Sequence, residues 1–452
     1  MPTAAILLVV LAGVLVLCVR APVYAFAVSL VLFTFEGSVK VLLDVDGAAS
    51  PAAIGAAAID FALFASLAAL LLADRGRSPV RVWANATTLE RVAGLSLGAW
   101  LLLSVLQLPV SGNLVDALEG IRVTQSYVAV ALGGAVLAAR LGPERLPHVL
   151  LGVIALAVLY AALRGVIGPA DAERAYSEQR TPNATFDELA RDTGSFTAAM
   201  GLVSFLVPAG LLCLGFALLG VGRRVVTLAL FAVVLGAALL TVLLLLRSGA
   251  ARRRGAIALA TVAVVLVGGY GATLLAAEAN PATEWRAKAL AHPLSDYSVT
   301  TRFDHWGETL HKVADEPFGS GIGTVGRATA HGHRAVFTDN SYLKVLREQG
   351  IAGGVLFVLG LGGILIAMAV RLVRLDPLRR AVGAASLVAV SGFLGLMVMA
   401  EYIEQPGKVL AWALLGVAVW ETVGRSQREP ETRIEPDLAE QAAPTEPALT
   451  TA

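Results

Sequence analysis

Runs of about 20 apolar residues, the length that crosses a hydrocarbon core at 1.5 Å rise per residue, recur along almost the whole chain. In lipid only a helix or a closed barrel satisfies its own backbone, and unbroken apolar runs rather than alternating ones select the helix. The runs lie near residues 3–19, 22–43, 52–73, 91–110, 122–139, 146–167, 196–220, 225–246, 255–277, 351–373, 380–400 and 406–424. The expected fold is all-α, a polytopic membrane helical bundle of about 12 transmembrane segments. Its domain covers residues 1–424, with a long extracytoplasmic loop, 278–341, inserted in it and containing short helices. The Pro- and Glu-rich tail, 425–452, is expected to be disordered and cytoplasmic. The first run lacks a basic region before it and a small-residue cleavage site after it, so a retained helix is expected.

Only 15% of the residues are charged and the mean hydropathy is +0.74, which excludes an ordinary soluble domain. A net charge of +1, with Lys and Arg in short clusters, gives no basic face for nucleic acid. Partners are therefore expected in or beside the bilayer. Cys18 and Cys213 each sit inside an apolar run and form no CxxC or disulfide pattern.

The short connections "DRGRSPVR", "ARLGPER", "GVGRR", "RSGAARRR" and "RLVRLDPLRR" are basic, which places them in the cytoplasm by the positive-inside rule. "GVGRR" and "RSGAARRR" conflict, because the single run between them crosses only once, so the topology over 221–255 stays open. The acidic or mixed segments belong outside: 44–50, Gly168 to Ser195, and the long loop.

That loop carries five of the six histidines: His292, His305, His311, His331 and His333. Residues 298–319 predict a helix, with Thr301 as its cap and Phe303, Trp306, Leu310 and Val313 as an apolar stripe. Arg302, His305, Thr309 and Lys312 form another stripe, either a solvated face or a cationic edge over the bundle mouth. Pro317 ends the helix, and Gly319, Gly321, Gly323 and Gly326 predict a close turn with amides facing inward over a substrate headgroup. The match to GxGxxG has no strand before it, so no dinucleotide site is expected. "TDNSYLKVLREQGIAGG" predicts a second helix, capped by Asp339 or Asn340, carrying Tyr342 on its inward face and stopping at Gly350. Asp339 is either that cap alone or a group at an anion-attracting helix end. Arg191 either snorkels to the interface or holds a phosphate. "HGH" at 331–333 fits no zinc spacing, and no metal is expected. Glu36, Lys40 and Glu401 are expected at span ends and Asp60 within a span, where an unpaired charge costs about 2.5–3.5 kcal/mol.

The order of these features resembles the O-antigen ligase and O-antigen polymerase superfamily of bacterial membrane glycosyltransferases. The resemblance rests on Arg302 with Trp306, "EPFGSGIG", the run from Asp339 to Leu343, "GIAGG" from Gly350, and Arg191 ahead of Gly194, Ser195 and Phe196. It implies a multi-pass protein of the bacterial cytoplasmic membrane, its long loop outside. It implies inverting transfer of a glycan from a polyprenyl-diphosphate-linked donor to a glycan or glycolipid acceptor hydroxyl, with no cofactor. Arg191 and Arg302 would then hold the diphosphate, and Asp339, His331 and His333 are the candidates for the base. Trp306, Asn340 and Tyr342 would line the donor or glycan site. The chain departs from the ligase branch by having Asp339 where a His stands, which tilts the reading towards polymerisation, and it lacks a clear "SRG" element. A transporter or flippase is the alternative. It predicts buried ionisable residues along a central path, whereas most charge in the sequence lies at the ends of runs. A non-catalytic scaffold would not need the clustered His and Arg.

Overall fold

The computed structural model describes residues 2–37, 39, 49–167, 205–212, 297–326, 329, 336–398 and 400–424. Among these every regular element is helical. The helices are α1 (Pro2–Arg20), α2 (Pro22–Thr34), α3 (Ala49–Asp74), α4 (Arg77–Asn85), α5 (Thr88–Leu106), α6 (Leu114–Gly120), α7 (Val130–Ile167), α8 (Tyr297–Asp315), α9 (Ser341–Leu372), α10 (Pro377–Leu396) and α11 (Lys408–Val419). Among the described residues five stretches are long and apolar enough to cross a membrane: Ile54–Asp74, Thr88–Val110, Leu114–Ala157, Ser341–Leu372 and Pro377–Leu396. The expected runs at 225–246 and 255–277, and most of 196–220, lie outside the described residues, as does the tail.

Local sequence marks the boundaries. Thr87 and Glu90 form a reciprocal capping box at the start of α5, with Thr87 N donating to Glu90 Oε2 at 2.6 Å. Asp376 caps α10 by accepting from Arg379 N at 3.0 Å, with Pro377 in the first turn. Gly142 (φ 70°) breaks α7 where a basic connection was expected, and Gly350 (φ 69°) breaks α9 at its expected stop. Residues 121–129, at the start of the expected run 122–139, form a π-turn and a 3₁₀ turn within the apolar stretch Leu114–Ala157. One expectation needs correction. Thr301 was expected to cap α8, yet it lies inside the helix, which starts at Tyr297.

Small residues let the bundle close. A Cβ on Gly134 would lie 2.0 Å from Ala413 O, and one on Gly416 would lie 1.8 Å from Ala131 O, so α7 and α11 approach backbone to backbone. Helix α11, buried from Lys408 to Ala418, is the bundle's centre. Helix α9 lies along α5, where Gly360 faces Leu97 and the Trp100 and Phe357 rings meet at a 43° tilt with centroids 4.8 Å apart. Its outward residues Ile351, Val355, Val358, Leu359, Ile366 and Val370 are exposed, the surface that a lipid-facing helix presents.

The glycine turn sits on the broken end of α9. Gly319, Gly321, Gly323 and Gly326 all adopt left-handed φ, between 76° and 97°. The expectation of amides turned to a headgroup is corrected by their partners. Gly321 N donates to Glu348 O at 2.9 Å, Gly323 N to Glu348 Oε1 at 3.0 Å, and Gly326 N to Val336 O at 2.7 Å. Cβ atoms at Gly321 and Gly323 would strike Ser111 and the Asp116 carbonyl. The turn is a packing wedge between the two halves of the bundle.

Candidate functional site

Asn340, not Asp339, caps α9: its Oδ1 accepts from Tyr342 N at 2.9 Å and Leu343 N at 3.1 Å. The Asp339 carboxylate is thereby released from capping. Asp339 itself takes a left-handed conformation (φ 49°), which Asp tolerates better than most L-residues. That backbone turn carries its carboxylate to α8, where Oδ2 lies 3.0 Å from His305 Nδ1. Trp306 Nε1 donates to the Asp339 carbonyl at 3.3 Å, so two adjacent side chains of α8 hold residue 339. Both ends of the His305–Asp339 pair are part-exposed, at 42% and 34%, and so reachable by a ligand.

Arg302 lies one turn before His305 on α8. Among the described residues its guanidinium forms no ion pair, and its charge reaches the Tyr402 phenol, opposing the rise in pKa that burial causes there. The inward face of α8 is Arg302, His305, Trp306, Thr309 and Val313, with Thr309 and Val313 each 7% exposed. This corrects the expected apolar stripe: Trp306 and Val313 turn inward, while Phe303 and Leu310 are about half exposed.

Beneath Asp339 lies a buried polar layer. Thr338 donates to Glu401 Oε1 through N at 2.6 Å and Oγ1 at 2.8 Å. Glu401 Oε2 is buried with no hydrogen-bond partner among the described residues. Burial, with the Glu404 carboxylate alongside, pushes the Glu401 carboxyl up to about 7. Lys344 Nζ donates to Glu348 Oε1 at 2.6 Å and to Val325 O at 2.7 Å, and lies 3.1 Å from Glu404 Oε1. The layer continues inward. Lys408 bonds the Val123 and Glu404 carbonyls and lies 4.3 Å from the centre of the Tyr127 ring. Tyr127 Oη donates to Asp60 Oδ1 at 2.5 Å, and Arg122 binds Asp60 at 2.7 Å and Glu119 at 2.9 Å. Glu36, just past the end of α2, and Glu401, between α10 and α11, lie at helix ends as expected, and both are buried, at 6% and 5% exposure.

Glu401 makes stability depend on pH. Its proton is held more tightly folded than unfolded, so this contribution is complete below the ordinary glutamate range and is lost as pH rises through about 7. The thermal midpoint in detergent is expected to fall between pH 5 and 8, and Glu401→Gln to flatten that fall. An unchanged slope in Glu401→Gln would show that another group is responsible.

Of the residues expected at the site, Trp306 on α8 meets Asp339, and Arg302 lies one turn earlier on the same helix. Asn340 is taken up by capping. Tyr342 turns away, its hydroxyl donating to Leu394 O at 2.9 Å. Arg191, His331 and His333 lie outside the described residues. Sequence reasoning placed His305 on a stripe without pairing it to Asp339, and passed over Lys344, Glu348, Glu404, Lys408 and Arg122. Their signal was present: Lys344 with Glu348 and Glu404 with Lys408 are spaced i, i+4, and ionisable residues within a span default to functional or paired roles. Compared with known proteins, the sequence matches no family model and no curated protein.

Proposed function

We propose that the chain is a membrane glycosyltransferase that transfers or polymerises a glycan from a polyprenyl-diphosphate-linked donor onto an acceptor hydroxyl at the outer face of the bacterial cytoplasmic membrane. The observation that carries this reading is the freed Asp339 carboxylate, bonded to His305 beside an Arg302 that has no ion pair among the described residues. In the proposed step the acceptor oxygen bonds to the anomeric carbon as the bond from that carbon to the diphosphate oxygen breaks. The acceptor proton goes to the Asp339–His305 pair, and the electron pair leaves with the polyprenyl diphosphate. Arg302 binds that diphosphate bidentately and stabilises the charge that grows on it. Arg191 as a second diphosphate ligand, and His331 or His333 as the base, remain part of the proposal. The resemblance to the ligase and polymerase superfamily supports the substrate class, and Asp339 in place of His favours polymerisation.

Arg302→Ala is expected to abolish long surface polymer in producing cells while lipid-linked glycan accumulates, read by mass analysis of the lipid fraction. Full-length polymer in that variant would remove the reading.

A second reading, export of a lipid-linked oligosaccharide, gains from the series of buried Asp60, Lys408, Glu404 and Lys344 with part-exposed Arg122, the kind of interior charge a transporter needs. Purified protein in detergent, supplied with lipid-linked donor and acceptor, separates the two: a transferase forms the new glycosidic bond without a membrane to cross, and a transporter does not.

A further inference from the structure

At 3.6 residues per turn, α8 divides into three sectors that meet three different surroundings. Arg302, His305, Trp306, Thr309 and Val313 face the bundle. Asp304, Glu308, His311 and Asp315, all exposed, form a charged sector that suits water. Between these two, on the remaining side, Phe303, Gly307, Leu310 and Ala314 form an exposed apolar stripe, with Phe303 at 51% and Leu310 at 52%. Phe318, just beyond the helix, extends the stripe at 86% exposure.

A helix wholly over water has no use for a third sector of this kind. The neighbours of Phe318 say what lies there. Its carbonyl accepts from Gln107 Nε2 at 3.0 Å, at the end of the span Thr88–Val110. The carbonyl of Pro317 accepts from Ile351 N at 2.9 Å, where the apolar half of α9 begins and its exposed face starts with Ile351 and Val355. Two spans thus put Phe318 at the level where their lipid-facing surfaces end. Phe303 and Trp306 pack edge to face at 5.2 Å, an aromatic pair of the sort that suits the boundary between lipid and water.

We propose that α8 is an interfacial helix whose Phe303, Leu310 and Phe318 edge is embedded in the bilayer surface, so that the Arg302–His305–Asp339 site opens at the lipid boundary rather than into bulk water. The attachment is apolar, because the outer charged sector is mostly acidic and gains nothing from anionic headgroups. The inference holds whether or not the protein transfers glycans.

The test uses the full chain in lipid nanodiscs, with Cys18→Ala and Cys213→Ala and single nitroxide labels at Phe303→Cys, Leu310→Cys or Phe318→Cys, against Asp304→Cys, Glu308→Cys or Asp315→Cys. The first three are expected to collide preferentially with oxygen and the second three with a water-soluble nickel chelate, with a several-fold higher oxygen-to-nickel ratio in the apolar sector. That ratio should be the same in discs of zwitterionic lipid and discs containing anionic lipid. Equal nickel access at all six sites would overturn the proposal by putting the stripe in water. Protection of the apolar sites from both reagents would overturn it by putting protein there. All six positions are exposed, and Leu310 and Phe318 report on the stripe without touching the Phe303–Trp306 ring pair.

Discussion

Lys344→Met is expected to destabilise the folded protein by about 3–5 kcal/mol, because it removes the cation that pairs with the buried Glu348 carboxylate. Lys344 has no exposed side-chain surface, Glu348 has 1% and Glu404 none. Water cannot reach the Lys344–Glu348 pair to take over its charge. The consequence extends past the pair. Glu348 accepts from Gly323 N, and Gly326 lies against the Glu404 carboxylate, so repulsion between the acids would loosen the glycine wedge. The measurement is the thermal or denaturant midpoint of purified protein, with Lys312→Met as the comparison. Lys312 pairs with Glu308 at 2.5 Å and the same i, i+4 separation, but both are well exposed, and no measurable change is expected from its loss. Equal midpoints for Lys344→Met and the parent chain would show that the carboxylates are held by something other than Lys344.

Asp339→Asn is expected to lower the proposed glycan transfer by about 10²–10⁴, the usual contribution of a positioned base, with little change in folding. Asn has the size of Asp, tolerates the left-handed backbone at 339, and can still bond to His305, but it cannot take a proton. Asp339→Ala is a poorer test, because it adds backbone strain of roughly 1–2 kcal/mol to the chemical loss. The assay is product formed from a lipid-linked donor by purified protein, alongside the midpoint of the same preparation. Full activity in Asp339→Asn would return the residue to a structural role. Loss of activity together with loss of folding would mean that the His305 contact holds α8 in place.

The helical class was legible in the sequence because a twenty-residue apolar run has one economical way to satisfy its backbone in lipid. The break at Gly350 was legible for the same local reason, since it acts within one turn of chain. The site was only half legible. Arg302, Trp306 and Asp339 stand out by residue type, but sequence left the cap open between Asp339 and Asn340, and that choice decides whether a carboxylate is available.

By itself the sequence determined the helical class, the break at Gly350 and a loop rich in ionisable groups, all set by interactions between residues a few positions apart. Only the tertiary structure decided the meaning of each charge. Lys312 with Glu308 and Lys344 with Glu348 have the same spacing, and burial alone separates a solvated pair from a buried one. Likewise His305 and Asp339 are 34 residues apart and become partners only because α8 docks on the capped end of α9. Pairing across such distances depends on packing, which hydropathy and spacing along the chain do not encode.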